Sequence, residues 1–187
     1  MEPIRFQYYE SDIKKTQPLG DVSLNYWINS MINPKEKFES VFKAIEEASK
    51  SQNKAEKDKL KRHLYFFTPC VIVKGTRKYV NIEKFTGLIT IDFDNLEPDY
   101  AIEFKEALFK EYKFIICAWL SASKKGVRAL VRIPIAKDIK EFKQYFYALR
   151  EELGIYNGFD MAPQNCVLPM FMSYDKDILY REDYCTW

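Results

Sequence analysis

Nine residues, Gly87-Leu-Ile-Thr-Ile-Asp-Phe-Asp-Asn95, constrain the fold of this chain more than any other stretch. Apolar and β-branched residues fill positions 88–93 apart from Asp92, a pattern typical of a buried strand. Because side chains alternate between the two faces of a strand, the two isoleucines and Phe93 share one face. Asp92 and Asp94 lie on the opposite face. The sequence therefore predicts a central strand that carries two carboxylates on one side.

These two carboxylates are expected to lie roughly 6–7 Å apart. Without a cation between them they repel by about 1 kcal/mol in a watery setting and by several kcal/mol at lower dielectric. One interpretation is a divalent-metal site for phosphate chemistry, because carboxylate oxygens bind Mg²⁺ and Mn²⁺. The other is a solvated strand end followed by a turn at 95–98. An Asp-x-Asp pair alone does not decide between them.

A second strand offers positive charge. The turn Ser121-Ala-Ser-Lys-Lys-Gly126 precedes a predicted strand over 127–133, on which Arg128 and Arg132 share one face. Backbone N–H groups of such a turn can bind an anion, although an ordinary exposed hairpin turn with two solvent-facing arginines is the alternative. Together with Asp92 and Asp94, these groups suit metal-assisted nucleotidyl transfer.

The remaining pattern mixes helices and strands. Helices are predicted over 21–32, with Asp21 or Ser23 as cap, over 34–48, and over 138–153; another begins at Pro98. Asn33 with Glu36 and Asp138 with Glu141 are predicted capping boxes. Strands are predicted over 4–9, 114–120 and 167–174, a hairpin over 71–74 and 78–82, and a Lys-rich solvated helix or loop over 50–62. We expect an α+β fold with a mixed or antiparallel sheet in a single domain, 1–187.

Composition limits the classes of function. The net charge is +2 over 187 residues, so attraction to nucleic acid must come from local patches. Four cysteines show no Cys-x-x-Cys spacing, which predicts a reducing, cytoplasmic location without a zinc site. The single histidine, His63, excludes a two-histidine metal motif and is predicted to have no catalytic role. No signal pattern or membrane-length apolar run is present, so no membrane partner is expected.

Several segments together carry a family resemblance. They are Thr86–Asn95, Ser121–Ile133, Gly158-Phe-Asp160 and Met172–Asp175, with Leu60-Lys-Arg-His-Leu64 through Pro69 before them. In order and spacing they resemble the archaeo-eukaryotic primase (primase-polymerase) superfamily. Within it they are most similar to VirE-like N-terminal domains of bacterial mobile elements and phages. The similarity spans about Asp21 to Tyr180, and the set is far more specific than any one motif.

The resemblance implies a primase-like fold, in which an RRM-like sheet and an N-terminal α/β unit form a cleft. It implies primer synthesis on a single-stranded DNA template from nucleoside triphosphates with Mg²⁺ or Mn²⁺, in a bacterial or phage-infected cell. By position, Asp92, Asp94 and Asp160 match the catalytic metal ligands. Ser121, Ser123, Gly126 and Arg128 match the motif that contacts the nucleotide triphosphate. Lys124, Lys125 and Arg132 are predicted to bind the nucleotide with them, because they add positive charge to the same turn and strand. A helicase domain or protein is an expected partner, and the chain is expected to be either one complete domain or the N-terminal part of a longer replication protein.

The motifs also depart from the family. Arg128 stands where many members have histidine, Lys124 replaces a common glycine, and Pro169 stands about where the VirE-like branch often has arginine. One alternative function is therefore a catalytically silent nucleic-acid-binding module of a replication or mobile-element protein. Another is a nuclease or topoisomerase-primase type of metal site, which needs an earlier glutamate and has only Glu83. Asp175 is the alternative to Asp160 as third acid.

Overall fold

The structure is a computed structural model that describes residues 4–51 and 53–187. Within these residues it is a mixed α+β fold of five α-helices and antiparallel sheets. The helices are α1 (Leu24–Ile32), α2 (Glu36–Lys50), α3 (Lys54–Lys61), α4 (Pro98–Glu111) and α5 (Ile139–Leu153). The strands are β1 (Arg5–Tyr9), β2 (Gly20–Ser23), β3 (Phe66–Thr68), β4 (Val71–Val73), β5 (Ile82–Phe85), β6 (Leu88–Asp94), β7 (Ile115–Leu120), β8 (Gly126–Arg132), β9 (Met170–Phe171) and β10 (Leu179–Tyr180).

The central sheet contains the candidate site, and its strand order is β10-β7-β8-β6. Strand β8 lies between β6 and β7 and is antiparallel to both. Strands β6 and β7 therefore run in the same direction, joined by α4, in a split β-α-β arrangement. The pairing of β6 with β8 places Asp92 opposite Arg128, and that of β7 with β8 places Trp119 opposite the same arginine.

Both faces of the central sheet are buried. On one face, Ile89, Ile91 and Phe93 pack with α4, α5 and the β4–β5 hairpin. On the other, Leu88, Leu130 and Trp119 pack with α1, α2 and a second sheet. This second sheet has the order β2-β1-β3-β9, and it covers the face that carries Asp92. The sequence predicts the alternation within β6 correctly, but the carboxylate face lies under a second layer of structure.

Several predicted boundaries are confirmed and others are wrong. Ser23 caps α1 by accepting a bond from the N–H of Tyr26, but the predicted first turn of that helix forms β2 instead. The capping box at Asn33 is wrong, because Asn33 ends α1 by donating its N–H to Asn29, and α2 begins without a side-chain cap. Asp138 caps α5 as predicted.

The second strand of the hairpin lies later in the chain than predicted, at Ile82–Phe85 rather than 78–82, and the last strand is shorter than predicted. Strand β5 begins at Ile82, because 79–81 forms a 3₁₀ turn. Strand β9 contains only Met170–Phe171 and lies at the edge of the second sheet, as Pro169 predicts. Among the described residues, no helix is both long enough and apolar enough to cross a membrane.

Candidate functional site

Three carboxylates meet at the end of β6. Asp92 and Asp94 lie on this strand, and Asp160 is brought beside them because its N–H donates to the carbonyl of Asp92 at 2.8 Å. The N–H of Asp94 donates in turn to the carbonyl of Gly158 at 2.8 Å, so the segment 158–160 pairs with the free edge of β6. One ligand oxygen from each carboxylate lies within 4.8 Å of the other two. The structure thus brings together the three acids that the sequence predicts.

Two glycines permit this close approach. Gly158 has a φ of +86°, and a Cβ there would lie 2.4 Å from the carbonyl oxygen of Asp94. A Cβ on Gly126 would lie 2.7 Å from the carbonyl oxygen of Phe93 and 2.9 Å from Oδ1 of Asp94. Side chains at either position would separate the segments that carry the carboxylates.

Asp92 is the buried member of the group, with 7% of its surface exposed. Its Oδ2 accepts a hydrogen bond from Nε of Arg128 at 2.9 Å, whereas its Oδ1 is buried and has no partner among the described residues. Burial raises the pKa of Asp92 and outweighs the opposing effect of Arg128. The solvated-strand-end interpretation is therefore wrong for this residue.

Arg128 is held in a net negative environment. Burial by itself would lower its pKa, but Asp92, Asp94 and Asp160 together raise it, so the guanidinium stays charged. Among the described residues the only hydrogen bond of its side chain is the one that Nε makes to Asp92. The terminal guanidinium nitrogens are therefore available to an anion.

The three acids suit a hard divalent cation. Carboxylate oxygens are the donors that Mg²⁺ and Mn²⁺ prefer. The unpartnered Oδ1 of Asp92 is a buried acceptor of the kind that such an ion satisfies. Asp94 and Asp160 are partly exposed and leave the group open to solvent. Asp92, Asp94 and Asp160 could together hold one or two such ions.

The turn between β7 and β8 is buried at its start. Ser121 and Ser123 have exposed fractions of 3% and 9%, and their hydroxyls are 3.2 Å apart. The Oγ of Ser121 lies 3.2 Å from the Cβ position of Gly126, on the same side as Oδ1 of Asp94. The backbone N–H groups of Ala122, Ser123 and Lys125 donate to no other described residue. The turn therefore differs from an ordinary exposed hairpin turn, and three of its amides have no acceptor among the described residues, as in turns that bind anions.

Among the described residues, neither lysine of this turn forms an ion pair with the three acids. Lys124 has a φ of 58°, in the region where glycine is unstrained, which accounts for the glycine common in the resembling family. Its ammonium donates to the carbonyl of Tyr174 and lies 5.2 Å from that ring. Burial lowers the pKa of Lys124. Lys125 is partly buried, and its carbonyl accepts a bond from Leu96.

Arg132 lies apart from the site. It is opposite Leu88, at the other end of β6 from the carboxylates, and it donates to the carbonyls of Thr86 and Gly87 at 2.9 and 3.3 Å. Through these two bonds Arg132 fixes the turn before β6. Arg132 shares a strand face with Arg128, as predicted, but the structure does not bring it together with the acids.

Lys61 lies near enough to the site to interact with its charges, and the sequence analysis missed it. It is partly buried at the end of α3, a helix with no fully buried residue. Burial lowers its pKa, and the nearby charges of Arg128 and Lys57 lower it further, while Asp94 raises it. The four-residue spacing of Lys57 and Lys61 places both on one face of α3. That spacing was the available signal, since the other α3 residues apart from Leu60 are exposed.

The alternative acids do not join the group. Asp175 is buried in an ion pair with Lys105 at 2.9 Å, so Asp160 is the third acid. Glu83 is exposed on β5 and is not among the clustered carboxylates. The glutamate that a nuclease or topoisomerase-primase type of site requires is therefore not supplied by Glu83. His63 is exposed beyond the end of α3.

Comparison with known proteins gives a family. No curated protein and no solved structure matches the chain. A model of the family described as "BT4734-like, N-terminal domain" matches residues 59–180, which is more than half of the chain and includes all of the site residues described above. The chain therefore belongs to the BT4734-like N-terminal domain family.

Proposed function

We propose that this chain is a primase-polymerase-like nucleotidyltransferase domain that synthesises primers on single-stranded DNA. The observation that carries the proposal is the convergence of Asp92, Asp94 and Asp160 beside a charged arginine. Metal-binding carboxylates next to a cation for phosphate oxygens are the parts that nucleotidyl transfer requires.

The fold supports the same proposal. An RRM-like sheet contains a split β-α-β unit, as β6, α4, β7 and β8 form here. The segment 158–160 follows α5 and pairs with the outer edge of β6, next to the acids. The second sheet with α1 and α2 packs on the carboxylate face, in the position expected of an N-terminal α/β unit. We infer a primase-like fold from this arrangement.

The acids, Arg128 and the turn would each have a separate role in the reaction. Mg²⁺ or Mn²⁺ held by the three acids would supply the positive charge that activates a 3′-hydroxyl and stabilises the charge developing on the α-phosphate. The terminal nitrogens of Arg128 would bind the β- and γ-phosphates of the incoming nucleotide. The free amides of the 121–125 turn, with the hydroxyls of Ser121 and Ser123, would bind phosphate oxygens on the same side.

The test is primer synthesis with the wild-type chain. A single-stranded template is incubated with labelled ribonucleoside or deoxyribonucleoside triphosphates in Mn²⁺, in Mg²⁺ and in EDTA. Template-dependent products that require the metal support the proposal, and the nucleotide used identifies RNA or DNA as product. Absence of products with every metal and both nucleotide types, from a chain that is folded and binds Mn²⁺, would contradict it.

The ion pair between Arg128 and Asp92 favours a second candidate function. A cation that already neutralises the buried carboxylate competes with a metal for the same oxygen, as expected for a catalytically silent nucleic-acid-binding module. Isothermal titration with Mn²⁺ separates the two candidates. The nucleotidyltransferase binds Mn²⁺, and its Asp92→Asn variant does not. A silent module binds DNA but shows no Mn²⁺ binding that depends on Asp92.

Replacing Arg128 with alanine is expected to weaken nucleotide binding about ten- to a hundredfold. A charge-assisted contact to phosphate contributes typically about 1.5–3 kcal/mol. Template binding should change much less, and Arg128→Lys should recover part of the loss, because a point charge replaces a two-pronged donor. The measurement is the apparent dissociation constant of a fluorescent nucleoside triphosphate in the presence of Mn²⁺.

Arg132→Ala is the matched control for this variant. It removes an arginine from the same strand and face, but one that contacts the turn at Thr86 rather than the acids. We expect it to leave the apparent dissociation constant of the nucleoside triphosphate unchanged. If Arg128→Ala instead weakens template binding and leaves nucleotide affinity intact, Arg128 contacts the template backbone, and the silent-module function gains support.

Lys61→Gln is expected to change metal and nucleotide binding in opposite directions. Removal of a positive charge near Asp94 strengthens Mn²⁺ binding, and its removal near Arg128 weakens triphosphate binding. Each change should be about two- to tenfold, since a charge–charge interaction screened by solvent contributes about 1 kcal/mol. The exposed neighbour His63 supplies the control, and His63→Gln should alter neither affinity. Equal changes in one direction would show that Lys61 acts through the fold.

A further inference from the structure

The connection between β4 and β5 concentrates positive charge. Residues 74–84, here called the basic hairpin, carry Lys74, Arg77, Lys78 and Lys84 against one acid, Glu83. Their net charge of +3 exceeds the +2 of the whole chain. No other charged residue occurs between positions 65 and 91. The charge is therefore local to this hairpin.

Three of these cations face solvent. Lys74, Lys78 and Lys84 are exposed, and none of them forms an ion pair within the described part of the chain. Surface lysines of a balanced protein are commonly interspersed with acids. An unpaired group of this kind attracts a polyanion, and counterion release makes the attraction depend on salt.

The outer part of the basic hairpin is fixed in position. The side-chain amide of Asn81 donates to both the carbonyl and the hydroxyl of Thr76, each at 2.8 Å. The N–H of Arg77 donates to the carbonyl of Thr16 at 2.7 Å, and its guanidinium donates to that of Val167 at 2.8 Å. These contacts tie the loop to two distant segments. Its exposed residues are therefore presented on an ordered base.

Two large apolar residues project from this ordered loop. Val80 is 88% exposed, more than any other large hydrophobic residue that the structure describes, and Tyr79 is 40% exposed. Lys78 stands next to Tyr79. Aromatic side chains beside cations form the stacking surfaces of proteins that bind single-stranded nucleic acids, where bases stack and lysines contact phosphates.

We propose that the basic hairpin is a binding surface for single-stranded nucleic acid, with Tyr79 stacking on a base and Lys74 and Lys78 contacting the backbone. The inference goes beyond the proposed function, because the β4–β5 hairpin packs on the face of the central sheet opposite to Asp92. Val80 packs against the sugar or the adjoining base. Lys84, further along β5, extends the same positive surface.

The small apolar area of Tyr79 and Val80 favours nucleic acid over other partners. Stable membrane attachment requires a larger apolar area or a lipid anchor in addition to basic residues. A specific protein interface buries about 800 Å² on each partner, far more than two side chains supply. Stacking of one base needs a single aromatic side chain, and Tyr79 is 40% exposed.

The test is fluorescence anisotropy with a labelled oligo-dT of about 20 nucleotides, longer than a single such binding site. The double variant Lys74→Gln/Lys78→Gln should weaken binding about tenfold at low salt. It should also reduce the slope of log affinity against log salt by about 1.4, at about 0.7 for each lost phosphate contact. The exposed pair Lys113→Gln/Lys140→Gln, with the same change in net charge, should leave affinity nearly unchanged.

Stacking is tested separately at Tyr79. Tyr79→Ala should weaken oligonucleotide binding about tenfold, and Tyr79→Phe should bind like wild type, because the aromatic face is retained. Equal losses in the hairpin and control lysine pairs would overturn the proposal, and so would full binding by Tyr79→Ala. Binding to vesicles of phosphatidylserine and phosphatidylcholine that is lost in the hairpin variants, with no binding of oligo-dT, would assign the surface to a membrane and overturn it.

The outcome is independent of catalysis. The hairpin variants should keep the Mn²⁺ affinity of wild type, and Asp92→Asn should keep the oligonucleotide affinity measured without metal. Wild-type chain that makes primers but shows no hairpin-dependent binding would refute the binding surface and leave the proposed function standing. The reverse result would refute the nucleotidyltransferase and retain the binding surface.

Discussion

Asp92→Asn is expected to lower Mn²⁺ affinity by at least about a hundredfold and to reduce primer synthesis below detection. Loss of an outer contact to a metal ligand already costs about ten- to a hundredfold, and Asp92 supplies the buried oxygen at the centre of the group. The amide retains the shape of the side chain and can still accept the bond from Arg128. The loss is therefore assigned to charge, and calorimetric titration with Mn²⁺ measures it.

The same variant should be at least as stable as wild type at neutral pH. Burial raises the pKa of Asp92, so the folded chain holds a proton on this carboxyl more readily than the unfolded chain does. The stability that the protonated Asp92 contributes is then fully present below its ordinary pKa of 3.8, and it is lost as the pH rises through the pKa of Asp92 in the folded chain. Asparagine does not ionise, so the melting temperature of the variant should exceed that of wild type at pH 7 and should equal it at low pH.

Asp183→Asn is the control for this prediction, because Asp183 is exposed near the end of the chain. It should change neither Mn²⁺ affinity nor synthesis. Wild-type Mn²⁺ affinity in Asp92→Asn would show that the acids do not form a metal site. A large fall in its melting temperature would show instead that the carboxylate has a structural role.

The site could be predicted where it follows from strand alternation. Asp92 and Asp94 on one face of β6, and Arg128 on one face of β8, required only that each segment be a strand. Asp160 lies in a loop with no periodic pattern, and it was identified by family resemblance. Its position is set by the two backbone hydrogen bonds to β6, which no local sequence signal specifies.

The other features of the site and the second sheet depend on tertiary contacts, which the sequence pattern does not specify. The pairing of Arg128 with Asp92 depends on the register of β6 against β8, two strands separated by a helix and another strand. Lys61 belongs to a helix without an apolar stripe, so only its four-residue spacing from Lys57, and no apolar pattern, indicates its inward face. The second sheet was largely missed because β2, β3 and β9 are short and carry little pattern.

Lys105→Met is expected to lower the free energy of unfolding by about 3–5 kcal/mol, the usual effect of removing one partner of a buried ion pair. The side chains of Lys105 and Asp175 are 2% and 4% exposed, and their charged atoms are 2.9 Å apart. Within the described residues, Asp175 would keep only the bonds from the N–H groups of Leu120 and Asp177. Urea denaturation measures the change.

The double variant Lys105→Met/Asp175→Asn tests whether the isolated charge causes this loss. Asparagine can still accept from Leu120 and leaves no buried charge, so the double variant should be more stable than the sum of the two single changes predicts. Lys110→Met, an exposed change in the same helix, should alter stability by no more than about 1 kcal/mol. Additive losses would contradict the ion-pair explanation. Because Asp175 holds the last residue of β7, directly before Ser121, the single variants should also weaken nucleotide binding through the turn rather than through the acids.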